Sequence, residues 1–242
     1  MPTTPPNGLY LTLIVSTLLG MTGAGLGALL FGRALPVRHM LPFGSGLLVG
    51  MAMFLVLPEA MADSPAGVVA LLCALGWLLF YVVESVLHRV QPDPHMRMVG
   101  LAPLIVAVSL HSILDGWNIA VAAALPGRGH VLAFLLGMGV HKLTGGFAVG
   151  AIFRGATPRR DWALAWVLAC EATTLLGGGL NILARDHFPL SWTLWLLALT
   201  AGSFLYLAWH SFGTAWKKNG IRSASLSALA GVALIAVLAL AN

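Results

Sequence analysis

Long apolar runs alternate with short polar breaks along the whole chain. Runs long enough to cross about 30 Å of hydrocarbon as helices are predicted at about 9–31, 43–62, 66–88, 99–125, 131–153, 161–184, 190–210 and 223–241. The breaks, such as HRVQPDPHMR and RGATPRRD, are rich in proline, glycine and charge. The pattern predicts an all-α, polytopic membrane protein with a single transmembrane domain over 1–242, built as a bundle of eight transmembrane helices.

Composition agrees with a membrane protein. The chain is 59% hydrophobic and only 9% charged, whereas soluble domains are about a quarter charged. The two cysteines, Cys73 and Cys170, lie inside apolar runs without a CxxC partner, so no disulfide framework or thiolate metal site is predicted. The first run has no basic segment before it and no cleavage site after it, and is therefore interpreted as a retained span.

Lysine and arginine mark the membrane topology. The first, third, fifth and seventh breaks hold ten of these residues, and the other breaks hold two, Arg128 and Arg185. Because basic residues concentrate in cytoplasmic loops, both termini are predicted outside the cytoplasm, in a cell membrane such as a bacterial inner membrane. The basic residues form no single patch, so no nucleic-acid partner is expected. The remaining one, Lys142, lies in the middle of the fifth span.

Several ionisable groups lie deep inside predicted spans. His111 is roughly 18 Å from the cytoplasmic end of its span, and His141 roughly 15 Å from the outer end of its span. Glu171 is near the middle of the sixth span. Such groups cost about 2.5–3.5 kcal/mol at the bilayer centre and usually face a bundle interior or a wet cavity. Glu84, near a cytoplasmic edge, is interpreted as interfacial.

A histidine and a carboxylate share one face of the fourth span. His111, Asp115 and Asn118 follow an i, i+4, i+7 pattern. Imidazole and carboxylate one turn apart make half of a site for a divalent cation such as Zn²⁺. Neighbouring helices can supply the rest, and the predicted metal set is His111, Asp115, His141, Glu171 and Asn118.

Each of these residues also has a purely structural interpretation. A buried histidine or aspartate often makes only an interhelical hydrogen bond. Glu171, in a glycine-rich helix, can pair with Lys142 instead of a metal.

The order of the motifs resembles that of the ZIP (Zrt-, Irt-like) divalent metal transporters. The matching segments are GLLVGMAMFLVLPEAM, LLFYVVESVLH, HSILDG, HKLTGGFAVG and AGSFLYLAWHSF. The resemblance implies eight spans and a metal site between the fourth and fifth, assisted by the second and sixth. It matches His111 and Asp115 to ligands and Glu171 to a sixth-span acid. It also implies a second-span position near the metal, at Met51 or Met53.

Two positions depart from the family pattern. Many ZIP members bind a second metal through the residues after each motif histidine, which here are Ser112 and Lys142. An ammonium replaces a cation rather than binding one, so one metal is expected. The fifth-span glutamate of the family is Gly145 here. His141 is expected to compensate, or else the site is weaker, binds another metal or does not transport.

The resulting prediction is inward transport of a divalent metal as substrate, with Zn favoured and Fe, Mn or Cd open. The protein is predicted not to be an enzyme, and the resemblance makes a homodimer reasonable. Residues expected to line the outer vestibule are Glu59, Asp63 and His187. Residues expected to accept the ion on exit are His88, His95 and His210.

Two other functions stay open at this point. An intramembrane metallohydrolase would need a histidine–acid zinc site, but the chain lacks HExxH. A membrane sensor or scaffold that binds metal without moving it is the other, and Gly145 is the feature that favours it.

Overall fold

The computed structural model describes residues 6–30, 34–62, 64–89, 102–124, 128–157, 159–184, 187 and 190–240. Over these residues the chain is helical, without strands. The helices are α1 (Pro6–Leu29), α2 (Ala34–Met51), α3 (Leu57–Ala62), α4 (Ala66–Arg89), α5 (Ala102–Ala124), α6 (Arg128–Ala156), α7 (Arg160–Ala184), α8 (Leu190–Asn219) and α9 (Ile221–Leu240).

The all-α membrane fold is confirmed. Seven helices within the described ranges are long and apolar enough to cross a membrane, and α5 occupies the position of the predicted fourth span. The prediction that one domain fills the chain remains a prediction. Large apolar side chains such as Leu71, Leu183 and Leu229 are exposed around the helices. A bilayer is the solvent in which such a surface is stable.

The predicted second span is not a uniform α-helix. A π-helical turn, Ala52–Val56, joins α2 to α3. Because a π turn inserts an extra residue into the helix, it shifts the faces that α2 and α3 present to their neighbours. Apolar periodicity alone does not reveal such a turn.

Helix α8 extends further than the predicted span 190–210. It continues through Trp216 and Lys217 to Asn219, and α9 begins two residues later. The intervening Gly220 has a φ of 79°, the left-handed conformation that commonly ends a helix. Hydropathy predicts where an apolar run ends, whereas backbone hydrogen bonds can continue the helix beyond that point.

The helices pack as two bundles, here named bundle A and bundle B. Bundle A consists of α1, α5, α6 and α7, with α1 along α6 and α5 along α7. Bundle B consists of α2, α3, α4, α8 and α9, with α2 along α9 and α4 along α8. Between the bundles, α6 contacts α2 and α9, and α5 makes sparser contacts with α4 and α8.

Glycines bring backbones together inside each bundle. A side chain on Gly23 or Gly27 of α1 would overlap the α6 backbone, and one on Gly177 of α7 would overlap the α5 backbone. Gly46 of α2 lies in the same way against α9, and Gly76 of α4 against α8. Close backbone approach at small residues is a main source of helix association in membranes, where lipid supplies no hydrophobic drive.

The boundary between the bundles is packed differently. There the described glycines face side chains rather than a backbone. A Cβ on Gly44 would lie 3.4 Å from the Thr144 hydroxyl, and one on Gly137 would meet side chains of Met51 and Ile235. Side chains can change rotamer, whereas interlocked backbones cannot, so the boundary is the deformable part of the packing.

We expect Gly23→Ala to destabilise the protein by about 1–3 kcal/mol, the usual cost of forcing extra atoms into a packed interface. The new methyl would collide with the Leu143 carbonyl oxygen. Gly25→Ala on the same helix is the matched control, because nothing lies within 4 Å of its Cβ. Thermal unfolding of the detergent-solubilised variants measures the difference, and equal melting temperatures would contradict this packing.

Candidate metal centre

Two histidines and one aspartate meet between α5 and α6. The Nε2 atoms of His111 and His141 are 3.3 Å apart. The Asp115 Oδ2 atom lies 3.5 Å from the His111 Nε2 and 3.9 Å from the His141 Nε2. In the described part of the chain, these three form the one group of histidine, cysteine or acidic side chains compact enough to hold a metal ion.

The spacing of these three atoms fits tetrahedral coordination. Bonds of about 2.0–2.1 Å at a tetrahedral angle place two ligand atoms roughly 3.3 Å apart. The distances between the three donor atoms, from 3.3 to 3.9 Å, are at or slightly above this value. Two imidazole nitrogens and one carboxylate oxygen are also the donor types that borderline divalent metals prefer.

The hydrogen bonding of the group is incomplete. Among the described residues, the Asp115 Oδ1 atom and the Nδ1 atoms of His111 and His141 have no hydrogen-bond partner. Asp115 is fully buried, and its Oδ2 atom has only the two imidazoles and the Lys142 ammonium within ion-pair distance among the described residues. Three donor atoms with free coordination capacity therefore converge on one point, so the residues present fit a metal ion.

Lys142 lies beside this group and connects two acids. Its Nζ is 2.6 Å from Glu171 Oε2 on α7 and 3.4 Å from Asp115 Oδ2 on α5. It also donates a hydrogen bond of 3.4 Å to the Ser112 hydroxyl. The ammonium and both acids are buried. Glu171 was predicted to bind the metal, but its carboxylate lies against Lys142, which is the structural interpretation that the sequence had left open.

Asn118 is buried one turn beyond Asp115, and neither atom of its amide has a hydrogen-bond partner among the described residues. Its role as a metal ligand stays a prediction. Gly145 lies one turn beyond His141 on α6. The atoms nearest to a Cβ built there belong to the His141 ring, the first at 3.5 Å, an ordinary van der Waals distance.

Comparison with known proteins identifies the family. A family model described as "ZIP Zinc transporter" matches residues 91–239, more than half of the chain.

The chain belongs to the ZIP family.

Membership confirms the resemblance that the motifs had indicated. It supports metal transport, since ZIP proteins are transporters of divalent metals rather than enzymes, and it agrees with a multi-pass membrane protein. Among curated proteins, none matches the chain. The match includes α5 to α8 and therefore the whole group around Asp115.

The structure distinguishes the two second-span methionines of this ZIP protein. Met51 is fully buried, and its sulfur lies 3.2 Å from where a Gly137 Cβ would be, one turn before His141. Met53 is 49% exposed. The π-helical turn starts directly after Met51, so Met51 faces α6 and Met53 faces outward.

A second polar cluster joins α4 to α8. The Glu84 Oε1 atom lies 3.0 Å from the His210 Nδ1, and the Tyr206 hydroxyl donates a hydrogen bond to Glu84 Oε2. The interfacial interpretation of Glu84 agrees with its partial exposure, but Tyr206 was missed. The sequence carried one signal, since Glu84 and His210 are both predicted near cytoplasmic span ends.

The other residues predicted to line the entrance and exit are only partly described. Glu59 is partly buried in α3, and His187 is exposed in a turn. Asp63, His95 and the side chain of His88 lie outside the described residues.

We expect Glu171→Ala to destabilise the protein by about 3–5 kcal/mol, because removing one partner of a buried ion pair leaves the other charge uncompensated. The control is Asp161→Ala, which removes the exposed pair with Arg159 and should leave the melting temperature unchanged. Thermal unfolding of purified protein measures both. Equal effects of the two substitutions would contradict the buried pair between Glu171 and Lys142.

Proposed function

We propose that this ZIP protein moves a divalent metal ion, preferentially zinc, into the cytoplasm through one site formed by His111, Asp115 and His141. The observation that carries the proposal is the spacing of their three donor atoms, 3.3 to 3.9 Å, which fits tetrahedral coordination. Water or the Asn118 amide completes the coordination, since metal sites that exchange their ligand keep an open position.

A single ion fits the charges of the site. A second divalent ion would have to lie beside the buried Lys142 ammonium, and like charges repel strongly where water is excluded. One acid and two neutral imidazoles also make a less anionic site than two acids would. Moderate affinity suits a transporter, which must release its ion as well as bind it.

The packing supports alternating access by relative movement of the two bundles. All three proposed ligands belong to bundle A, inside which glycines interlock the backbones. Bundle B meets it through side chains at α2 and α9. Movement of one rigid group against another is a common way to expose a site to each side of a membrane in turn.

The direction of opening is proposed from burial and topology. Met51, Ile119 and Met138, on the outer side of the group under the proposed topology, are fully buried and belong to one apolar cluster. His111, the ligand on the cytoplasmic side under the proposed topology, has 19% of its side chain exposed. We infer that the described state is closed to the outside, with both termini outside the cytoplasm as the basic residues indicate.

The outer and inner approaches to the site remain proposals from the same topology. Glu59, Asp63 and His187 are proposed at the outer entrance, and His88, His95 and His210 at the exit. The three ligands come from two helices of one chain, so a homodimer, although expected, is not required to complete the site.

Gly145 favours one alternative function, a membrane sensor that binds metal without moving it. The loss of an acid at this position weakens the ligand set relative to the family pattern. Binding without uptake would support this alternative.

We expect purified protein in proteoliposomes to take up zinc, and expect His111→Ala and Asp115→Ala each to lower the initial rate at least tenfold, since each removes one of three ligands. His39→Ala is the matched control, because His39 is exposed and bonds only Ser227 among described side chains. A zinc-sensitive dye inside the vesicles reports the rate. Equal rates for wild type and His111→Ala would exclude this site.

We expect Gly145→Glu to tighten zinc binding at least tenfold, because it adds a carboxylate one turn from His141 at a position where a Cβ makes only ordinary contacts with the His141 ring. Gly145→Gln has nearly the same size without the charge and should bind zinc within a few-fold of wild type. Isothermal titration of both variants with several metals measures affinity and metal preference. Unchanged affinity in Gly145→Glu would mean that this position does not face the ion.

A further inference from the structure

We infer that Lys142 is a tethered cation that competes with the transported metal for Asp115, and that Glu171 anchors this cation instead of binding the metal. The inference rests on the proposed function, because it assigns a role to the residues beside the proposed site. It concerns how the metal ion is released from the site and how the empty site returns to accept another ion.

The competition follows from one shared oxygen. Asp115 Oδ2 is 3.4 Å from the Lys142 Nζ and 3.5 Å from the His111 Nε2. A metal ion bound at about 2.0–2.2 Å from this oxygen would lie close to the Lys142 ammonium, and two cations on one oxygen repel each other strongly where water is excluded. Full coordination of the metal and a close ion pair with Lys142 therefore oppose each other at this atom.

Glu171, the anchor, provides an ion-pair partner for the Lys142 ammonium while a metal ion is bound to Asp115. Lys142 is already closer to Glu171, at 2.6 Å, than to Asp115, at 3.4 Å. A flexible four-carbon stem allows the small displacement between the two acids. When the metal leaves, the same ammonium compensates Asp115, which no other described cation contacts except the histidines of the site.

The packing around the pair holds the anchor in place. Gly20 of α1 lies against it, since a Cβ there would overlap the Glu171 carboxylate and lie 3.1 Å from the Lys142 Cε. Lys142, Glu171 and the proposed ligands all belong to bundle A. The cation therefore stays with the site whichever side the site faces, and the empty site can return without a second ion.

The test compares zinc binding, zinc exchange and net zinc uptake for Lys142→Met, which keeps the length of the side chain and removes its charge. We expect Lys142→Met to bind zinc at least tenfold more tightly, because its competitor is gone. Exchange of labelled zinc across loaded vesicles should persist, whereas net uptake should fall at least tenfold, since the emptied site holds two uncompensated acids. Lys142→Arg keeps the charge and should return the ratio of net uptake to exchange toward that of wild type.

The role of Glu171 is tested by a double variant. If Glu171 acts only through Lys142, Glu171→Gln should weaken zinc binding several-fold in the wild-type background and have little effect in Lys142→Met. An equal loss in both backgrounds would make Glu171 a metal ligand and overturn its role as anchor. If Lys142→Met does not fold, Lys142→Gln, which can hydrogen-bond to both acids, replaces it.

The outcomes separate this inference from the proposed function. Suppose that the wild type works, but that Lys142→Met has the same zinc affinity and the same ratio of net uptake to exchange. This result would overturn the tethered cation alone. A wild type that neither binds nor takes up zinc would overturn both. A purely structural role for Lys142 would lower folded yield, binding, exchange and net uptake together, which would also overturn it.

Discussion

The candidate site and the packing around it depend on the charge of one buried carboxylate. Asp115 is fully buried inside bundle A of a membrane protein. An ionised group in that position needs a positive partner. The three groups around it, two imidazoles and one ammonium, are the only described partners within ion-pair distance. The pairing with Lys142 and the contacts of α5 with α6 therefore depend on how this one charge is neutralised, and so would metal binding at the proposed site.

Much of the fold was predictable because membrane helices are specified by length and apolarity, which a single sequence displays directly. The runs predicted for α1, α4, α7 and α9 lie close to the observed helices. The extension of α8 and the π-helical turn after Met51 were not predictable, because both depend on backbone hydrogen bonding rather than hydropathy. The division into two bundles was not predictable from the sequence either. Glycines such as Gly23 and Gly46 indicate that another helix backbone approaches, but not which helix it belongs to.

The candidate site was predictable only in part, for a similar reason. His111 and Asp115 share a helical face, so their proximity follows from helix geometry alone. The proximity of His141 to these two residues depends on a contact between α5 and α6. The predicted depth of His141 in the membrane indicated such a contact but did not establish it. Glu171 is predicted at a similar depth, yet its carboxylate contacts the ammonium of Lys142, the residue that follows His141 in α6. Depth along the membrane normal does not determine which side chains meet in the plane.

The charges of bundle A have a consequence for membrane voltage. With both acids ionised, Asp115, Glu171 and Lys142 together carry one negative charge, and a bound divalent ion changes this to one positive charge. For a site that crosses the membrane, an inside-negative potential pulls the loaded form inward and pushes the empty form back outward. Each unit charge gains about 2.3 kcal/mol per 100 mV over the full membrane. Both halves of the cycle would be driven by the same electric field, and the dependence of uptake on an imposed potential is a direct measure of that charge.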